Sequence, residues 1–295
     1  MKRVLVIANP AASRGRGAKA LETVKRLAPA YSDRCRFDFM ITSGPEHATE
    51  IARTHGPAYD LVAALGGDGT VNEVVAGLMG GSTPLGLIPI GTGNDFARSA
   101  RIPRKLKPAL SLLCHGEPRP TDVGIVNGRH FVNAVGIGFD GRTNYEIRNI
   151  KYLRGPLVIL VAIARTIRSW KSAQVTLKVD DKTISGLTYL IGIGNGPSVG
   201  GGLHLTPNAD LGDGKLEVCH VADISPLKII LNFPRLKAGT IHKLDEVTML
   251  SGKSIVIESE QPLPVHVDGE VLGLELRKLE IQLLPGALQV VRNQG

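Results

Sequence analysis

From the N-terminus to about residue 120, short apolar runs alternate with stretches whose apolar positions recur at helical spacing. RVLVIAN (3–9), CRFDFMIT (35–42), DLVAALGG (60–67) and PLGLIPI (84–90) predict strands. GAKALETVKRLAPAY (17–31), with Leu21, Val24 and Leu27 at helical spacing, predicts a helix, as do PEHATEIARTHG (45–56), VNEVVAGLMG (71–80) and DFARSA (95–100). Such alternation implies a doubly wound, mostly parallel α/β sheet. Near-continuous apolar strands fit burial on both faces.

After Asp122 the rhythm changes. Asn127-Gly128 sits between two strand-like runs, a hairpin signal. Residues 173–196 read as another hairpin and 254–284 as several more strands. One helix, Tyr152–Ser169, interrupts the series. These features predict an α/β domain over 1–122 and a mainly antiparallel, β-sandwich-like domain over 123–284. Residues 285–295 form a tail that returns to the first domain. With no internal repeat or low-complexity linker, the two halves are expected close together, with a cleft between them.

Three of the predicted strands end in loops that lead into a helix: NPAASRGRGAK (9–19), GGDGTVN (66–72) and PIGTGNDFA (89–97). Ligands of open parallel sheets bind beyond the carboxyl ends of strands. Amides at a helix N-terminus attract phosphate there. Thr70 and Glu73 have the spacing of a capping box with Thr70 as N-cap, which explains Thr70 without a ligand. It leaves Gly66, Gly67 and Asp68 unexplained, as well as the second pairing of Gly91 and Thr92 with Asp95. The common phosphate-binding signatures G-x-x-x-x-G-K-[ST] and G-x-G-x-x-G are absent. Arg14, Arg16 and Lys19 could balance phosphate charge, assisted by Mg²⁺ near Asp68 or Asp95.

Composition narrows the picture only a little. Aromatics are 4% of 295 residues, so the core is built of Val, Leu, Ile and Ala. A net charge of +8 suits an anionic partner without choosing among nucleotide, nucleic acid and acidic membrane. Three cysteines, Cys35, Cys114 and Cys219, form neither a disulfide framework nor a metal cluster, which implies a reducing cytoplasm. The eight histidines show no metal spacing, and His204 and His266 read as ordinary strand residues. The N-terminal apolar run breaks at Asn9-Pro10 and reads as a strand, not a signal peptide. PLVILVAIA (156–164) is too short to span a bilayer, so the expectation is a soluble chain that meets membranes at their surface.

GGDGTVNEV and PIGTGNDFAR resemble the two nucleotide-binding signatures of the soluble bacterial diacylglycerol-kinase catalytic family, lipid kinases related to eukaryotic sphingosine and diacylglycerol kinases. NAD kinases share GGDGT but not GTGNDFA. Three further blocks follow in family order: NAVGIGFDG (133–141), NGPSVGGGLHLTPNADLGDGKLEV (195–218) and VHVDGE (265–270). The resemblance implies transfer of the γ-phosphate of ATP to the hydroxyl of a lipid such as diacylglycerol, at a site between the domains. ATP would lie across Gly66, Gly67, Asp68, Gly69, Thr70, Val71 and Asn72, and across Gly91, Thr92, Asn94 and Asp95, with Thr42 and Arg14 in reach. Asp68 would join the catalytic set. A structural Mg²⁺ would fall on Asp210, Asp213 and the backbone carbonyl of Lys215, where the family usually has an apolar residue. Glu270 would be the base and Asp268 a supporting carboxylate, although VHVDGEVLG also reads as a plain Asp-Gly hairpin turn.

Partners on this reading are a lipid at a membrane surface and no nucleic acid, for a peripheral protein on the inner face. An exposed β edge in the second domain would support a homodimer. KYLRGPLVILVAIARTIRSWK (151–171) reads both as core packing and as an interfacial helix. The rival readings are an NAD-kinase-like enzyme with a soluble substrate and a non-catalytic nucleotide- or membrane-binding module.

Overall fold

The structure, a computed structural model, describes residues 1–150 and 156–293. The chain divides into two compact units, Met1–Val123 with Pro285–Gly295, and Gly124–Leu284.

The first unit alternates β1 (Lys2–Ala8), α1 (Ala12–Leu27), β2 (Cys35–Ile41), α2 (His47–His55), β3 (Leu61–Gly66), α3 (Asp68–Leu78), β4 (Leu85–Pro89), α4 (Asp95–Ser99) and α5 (Leu106–His115). The strands are all parallel in the order β2-β1-β3-β4. Val290, near the end of the chain, pairs parallel with Leu85 on the outer side of β4. Val4–Ala8 and Leu61–Leu65 are buried throughout, because helices cover both faces of the sheet. Helices α2 and α3 approach closely at Gly77, where an added Cβ would lie 2.4 Å from the Thr49 carbonyl oxygen and 2.7 Å from the Ala52 Cβ.

The expected capping box does not form. Helix α3 begins at Asp68 with Gly67 as N-cap, which places Thr70 inside the first turn. The start moves forward because Gly66 has no Cβ: an added one would sit 2.3 Å from the Thr70 Cβ. Glu73 instead accepts a hydrogen bond from the Ala48 amide (3.1 Å), serving the first turn of α2.

The second unit takes in β5 (Pro118–Val126), whose first residues belong to the first unit, then β6 (Arg129–Phe131), β7 (Ala134–Gly138), α6 (Phe139–Asn149), α7 (Pro156–Ser169), β8 (Ala173–Val179), β9 (Lys182–Gly194), β10 (Leu216–Ala222), α8 (Pro226–Ala238), β11 (Val247–Gly252), β12 (Ser254–Val267) and β13 (Glu270–Val291). Its sheet runs β11-β10-β9-β7-β12-β13, and β8 pairs with β9 and β12. The pairings of β7 to β12 are antiparallel. The β5–β6 hairpin turns through Asn127 (φ 46°) and Gly128 (φ 83°), both left-handed as a tight two-residue turn requires. The main core joins the inward residues of these strands, among them Val135, Ile137, Ile191, Ile193, Val265 and Val267.

Among the described residues three α-helices, not one, interrupt these strands. Helix α6 escapes the sequence pattern because FDGRTNYEIRN is polar and buries only Phe139, Gly141 and Thr143. Helix α8 escapes it because Pro234 lies inside and no residue of the helix is buried. Of the predicted Tyr152–Ser169 helix, residues 152–155 lie outside the described residues, and α7 begins at Pro156. His204 is also not on a strand; it lies in the connection between β9 and β10.

Gly77→Leu should force α2 and α3 apart and destabilise the fold by roughly 1–3 kcal/mol, the usual cost of overpacking. A urea melt checks this, and an unshifted midpoint would contradict the close approach.

Candidate functional site

All four parallel strands of the first unit deliver a loop to the same carboxyl edge. The Asn9 amide donates to the Leu65 carbonyl (3.1 Å), the Thr42 amide to Ala8 (2.9 Å) and the Ile90 amide to Gly66 (2.9 Å). Thus the glycine-rich loops after β1, β3 and β4 and Thr42 after β2 stand together, as the strand ends of an open sheet do. Asn9 links two of them: its Nδ2 donates to Thr70 Oγ1 (3.1 Å). Ser13, held at φ 53°, donates from Oγ to the Ile90 carbonyl (2.5 Å). Arg14 and Arg16 are exposed on this loop.

Asp68 is the centre of this edge. Its Oδ2 accepts from the Asn94 amide and its Oδ1 from the Asp95 amide, both at 2.9 Å. One carboxylate on the 66–72 loop therefore holds the 89–97 loop by its backbone. The glycines serve the same contact: a Cβ on Gly91 would lie 2.7 Å from the Gly67 Cα and 2.5 Å from Asn94 Oδ1. Asn94 is buried with φ 52° and donates from Nδ2 to the Gly91 carbonyl (2.9 Å), fixing the turn. Thr92 remains exposed beside it. The amides of the first turn of α3, including Gly69, have no intrahelical carbonyl to serve. Val71 bonds back to Gly67 and is buried, and Asn72 has a buried amide nitrogen, Nδ2, without a hydrogen-bond partner. Burial pushes the Asp68 carboxyl above its ordinary value, opposed by the amides of Asn94, Asp95 and Phe96.

In the second unit the DGE element is a tight hairpin turn. Asp268 (φ 46°) and Gly269 (φ 81°) occupy its corner, and Val267 pairs with Glu270 across it. The Asp268 carboxylate accepts three backbone hydrogen bonds: Val132 to Oδ2 (2.8 Å), and Asn133 (3.0 Å) and Ala134 (2.7 Å) to Oδ1. Glu270, about one-third exposed, accepts from the Arg129 guanidinium through Oε2. Of the two carboxylates, Asp268 is committed to the backbone and Glu270 is oriented from one side with its other face open. His266, taken from sequence for an ordinary strand residue, underpins the turn. Its Nδ1 accepts from the Gly269 amide (3.3 Å), so its Nε2 carries the proton and donates to Asp140 Oδ2 (3.0 Å). Gly136 leaves the room for this pair, since a Cβ there would meet Asp140 Oδ2 at 2.1 Å and His266 Nε2 at 2.2 Å.

The expected metal loop lies between β9 and β10. Asp210 accepts from the Gly212 amide (2.9 Å) and Asp213 from the Lys215 amide (3.2 Å). The Lys215 ammonium lies 3.6 Å from the second oxygen of Asp213. A cavity of ≈ 280 Å³ opens here, lined by Asn208, Asp213, Lys215 and Glu217 among others. Burial and the nearby Asp213 charge both raise the Glu217 carboxyl, whose oxygens accept from Asn208 at 2.8 and 3.1 Å. Two carboxylates and a carbonyl are hard oxygen donors of the type Mg²⁺ takes, with water completing its shell. No cluster of three His, Cys, Asp or Glu side chains suited to a metal occurs among the described residues.

Sequence reasoning missed Asn9, Ser13, Arg129, Asp140 and His266. Asn9 and Ser13 stand in a loop already singled out, but their partners lie 61 and 77 residues away. Arg129 follows the Asn-Gly turn, and only the pairing of β5, β6 and β13 brings it to Glu270.

A parallel α/β unit followed by a mainly antiparallel β unit defines the fold class. Yeast NADH kinase shares this fold with a TM-score of 0.53 at 14% identity, over 99% of this chain and 84% of that one. Within the class, the diacylglycerol kinase catalytic domain matches residues 3–126, and the YegS C-terminal NAD kinase beta sandwich-like domain matches 133–292. A diacylglycerol kinase of Mycobacterium tuberculosis is 31% identical over 98% of this chain and 95% of its own length. A diacylglycerol kinase structure from Bacillus anthracis superposes with a TM-score of 0.75 at 26% identity, covering 99% of this chain and 97% of that chain. The chain belongs to the diacylglycerol kinase family.

Asp68 supplies a sign test. Its folded carboxyl titrates above the unfolded one, so the native state holds the proton at a pH where the unfolded chain has lost it. The stability this confers is full below the ordinary Asp value and is lost as pH rises through the raised one. Asp68→Asn, which cannot ionise, should lack that downward step, and subtracting its stability–pH curve from the wild-type curve should isolate it. Asp68→Ala should cost roughly 1–3 kcal/mol for the orphaned amides at a pH below the ordinary Asp value, and less as pH rises.

Proposed function

We propose that the protein transfers the γ-phosphoryl group of ATP to the hydroxyl of a lipid of the diacylglycerol type, acting peripherally at a membrane. The observation that carries this reading is the division of labour in the DGE turn, where Asp268 is consumed by three amides and Glu270 is left as the oriented carboxylate. Family membership and the names of the relatives support the acceptor class.

Phosphate oxygens meet the first-turn amides of α3 and the loop of Gly91, Thr92, Asn94 and Asp95, while Asp68 keeps the two loops together. Arg14 and Arg16 add positive charge from the neighbouring loop. Thr42 lines the same edge. Glu270 takes the proton of the lipid hydroxyl on its carboxylate. The hydroxyl oxygen bonds to the γ-phosphorus as the bond to the β–γ bridging oxygen breaks, so the electron pair leaves with ADP. Arg129 fixes which Glu270 oxygen is turned to the substrate. His266 and Asp140 fix the turn that carries it. Mg²⁺ held by Asp210, Asp213 and the Lys215 carbonyl would supply positive charge to an otherwise acidic loop and order it.

No helix among the described residues is long and apolar enough to cross a membrane, which accords with peripheral action. Incubation with γ-labelled ATP, Mg²⁺ and either diacylglycerol vesicles or NAD⁺ tests the acceptor. Label should enter lipid; label in NAD⁺ instead would replace this reading with a soluble nucleotide kinase, and label in neither would leave a binding module. Glu270→Gln should lower turnover by roughly 10²–10⁴-fold, the usual share of general base catalysis, with ATP affinity near that of the wild type. Turnover close to wild type would move the base elsewhere. Asp268→Asn should instead lower the melting temperature, because it breaks the amide clamp.

A further inference from the structure

Among the described residues nine large hydrophobic side chains stand exposed, and six of them lie on α7 and α8: Leu157, Leu160, Leu227, Ile230, Leu231 and Phe233. Chance scatter does not explain such clustering on two short elements. On α8 the residues Leu227, Ile230 and Leu231 are 66%, 58% and 67% exposed. Their i, i+3, i+4 spacing sets them on one face. Ile229 and Leu236 take the other side and pack against the cluster of Phe139, Tyr189 and Val221. The helix is thus anchored by one edge and offers an apolar stripe on the other. Pro226–Ala238 has no acidic residue and carries Lys228, Arg235 and Lys237; Pro156–Ser169 has none and carries Arg165 and Arg168. Lys228 pairs with Glu246 and Arg165 with Glu146, whereas Arg168, Arg235 and Lys237 form no ion pair among the described residues.

We propose that the exposed stripe of α8 seats in an anionic phospholipid leaflet, lying in the plane of the interface with its cations against the headgroups; this rests on the reading of the protein as a lipid kinase. The charge pattern selects this occupant. A second copy laid on the same stripe would set these cations against a helix that carries Lys228, Arg235 and Lys237 and no carboxylate. An anionic leaflet meets both requirements, apolar depth for the leucines and negative charge for the cations. Thirteen residues are too few to span a bilayer, so the helix lies flat. Exposed leucines on a barely packed helix are then a lipid-seeking surface, close in chain to the core that holds Phe139.

Flotation of the full chain with phosphatidylcholine vesicles, with and without phosphatidylglycerol, tests this. Wild type should partition to the anionic vesicles, and the combined Leu227→Gln, Ile230→Gln, Leu231→Gln variant should lose about tenfold or more of that partitioning. Arg235→Glu with Lys237→Glu should lose the preference for anionic vesicles, by ~10-fold or more for two reversed charges. Both variants should phosphorylate a short-chain, water-soluble diacylglycerol like wild type while losing turnover on vesicle-embedded lipid. Vesicle partitioning unchanged in both variants overturns the proposal. So does a change from dimer to monomer in light scattering with partitioning intact, because a second copy would then own the stripe. If wild type phosphorylates no lipid in either form but the partitioning pattern holds, the docking surface stands and the activity reading falls.

Discussion

One buried carboxylate taking three peptide N–H groups ties the second unit's turn to its sheet. Val132, Asn133 and Ala134 lie at the entry to β7, and all three of their amides donate to this one side chain. Asp268 can serve them because aspartate tolerates the left-handed backbone at φ 46° and has a side chain short enough to reach back. The first unit repeats the device. Asp68 takes the amides of Asn94 and Asp95, so the loop after β3 reaches across and holds the loop after β4 by its backbone. Both motif aspartates therefore serve backbone amides, and Glu270, beside a guanidinium, is the carboxylate of the turn that does not.

This changes what the glycines of GGDGT mean. Gly66 yields space to Thr70, and Gly67 and Gly91 yield it to each other. The close approach their pattern announces is first of loop to loop. Once joined, the two loops are held to each other by Asp68 through the backbone amides of Asn94 and Asp95.

The alternation of strands and helices up to residue 120 was legible because parallel strands buried on both faces are written as unbroken apolar runs. The tight turns at Asn127-Gly128 and Asp268-Gly269 were legible because few residue pairs accept two left-handed positions in a row. Thr70 misled, since its spacing from Glu73 suits a cap while the missing Cβ at Gly66 lets the helix start sooner. Helices α6 and α8 were illegible for different reasons: one buries little of a polar sequence, and the other carries Pro234 in its interior. The His266–Asp140 pair could not be read at all, because 126 residues separate its members and only the passage of α6 over Gly136 unites them.

Strand β13 has one more consequence, for the order in which the molecule is made. Leu288, Val290 and Val291 are buried in the first unit, and Val290 closes the outer side of β4. The unit that leaves the ribosome first is therefore the last to be finished. Until Leu288, Val290 and Val291 are made, β4 keeps an unpaired apolar edge while the second unit is translated, a template for wrong pairing. Loss of the strand around Val290 would be felt at Leu85, far earlier in the chain, as a domain whose sheet edge stays open.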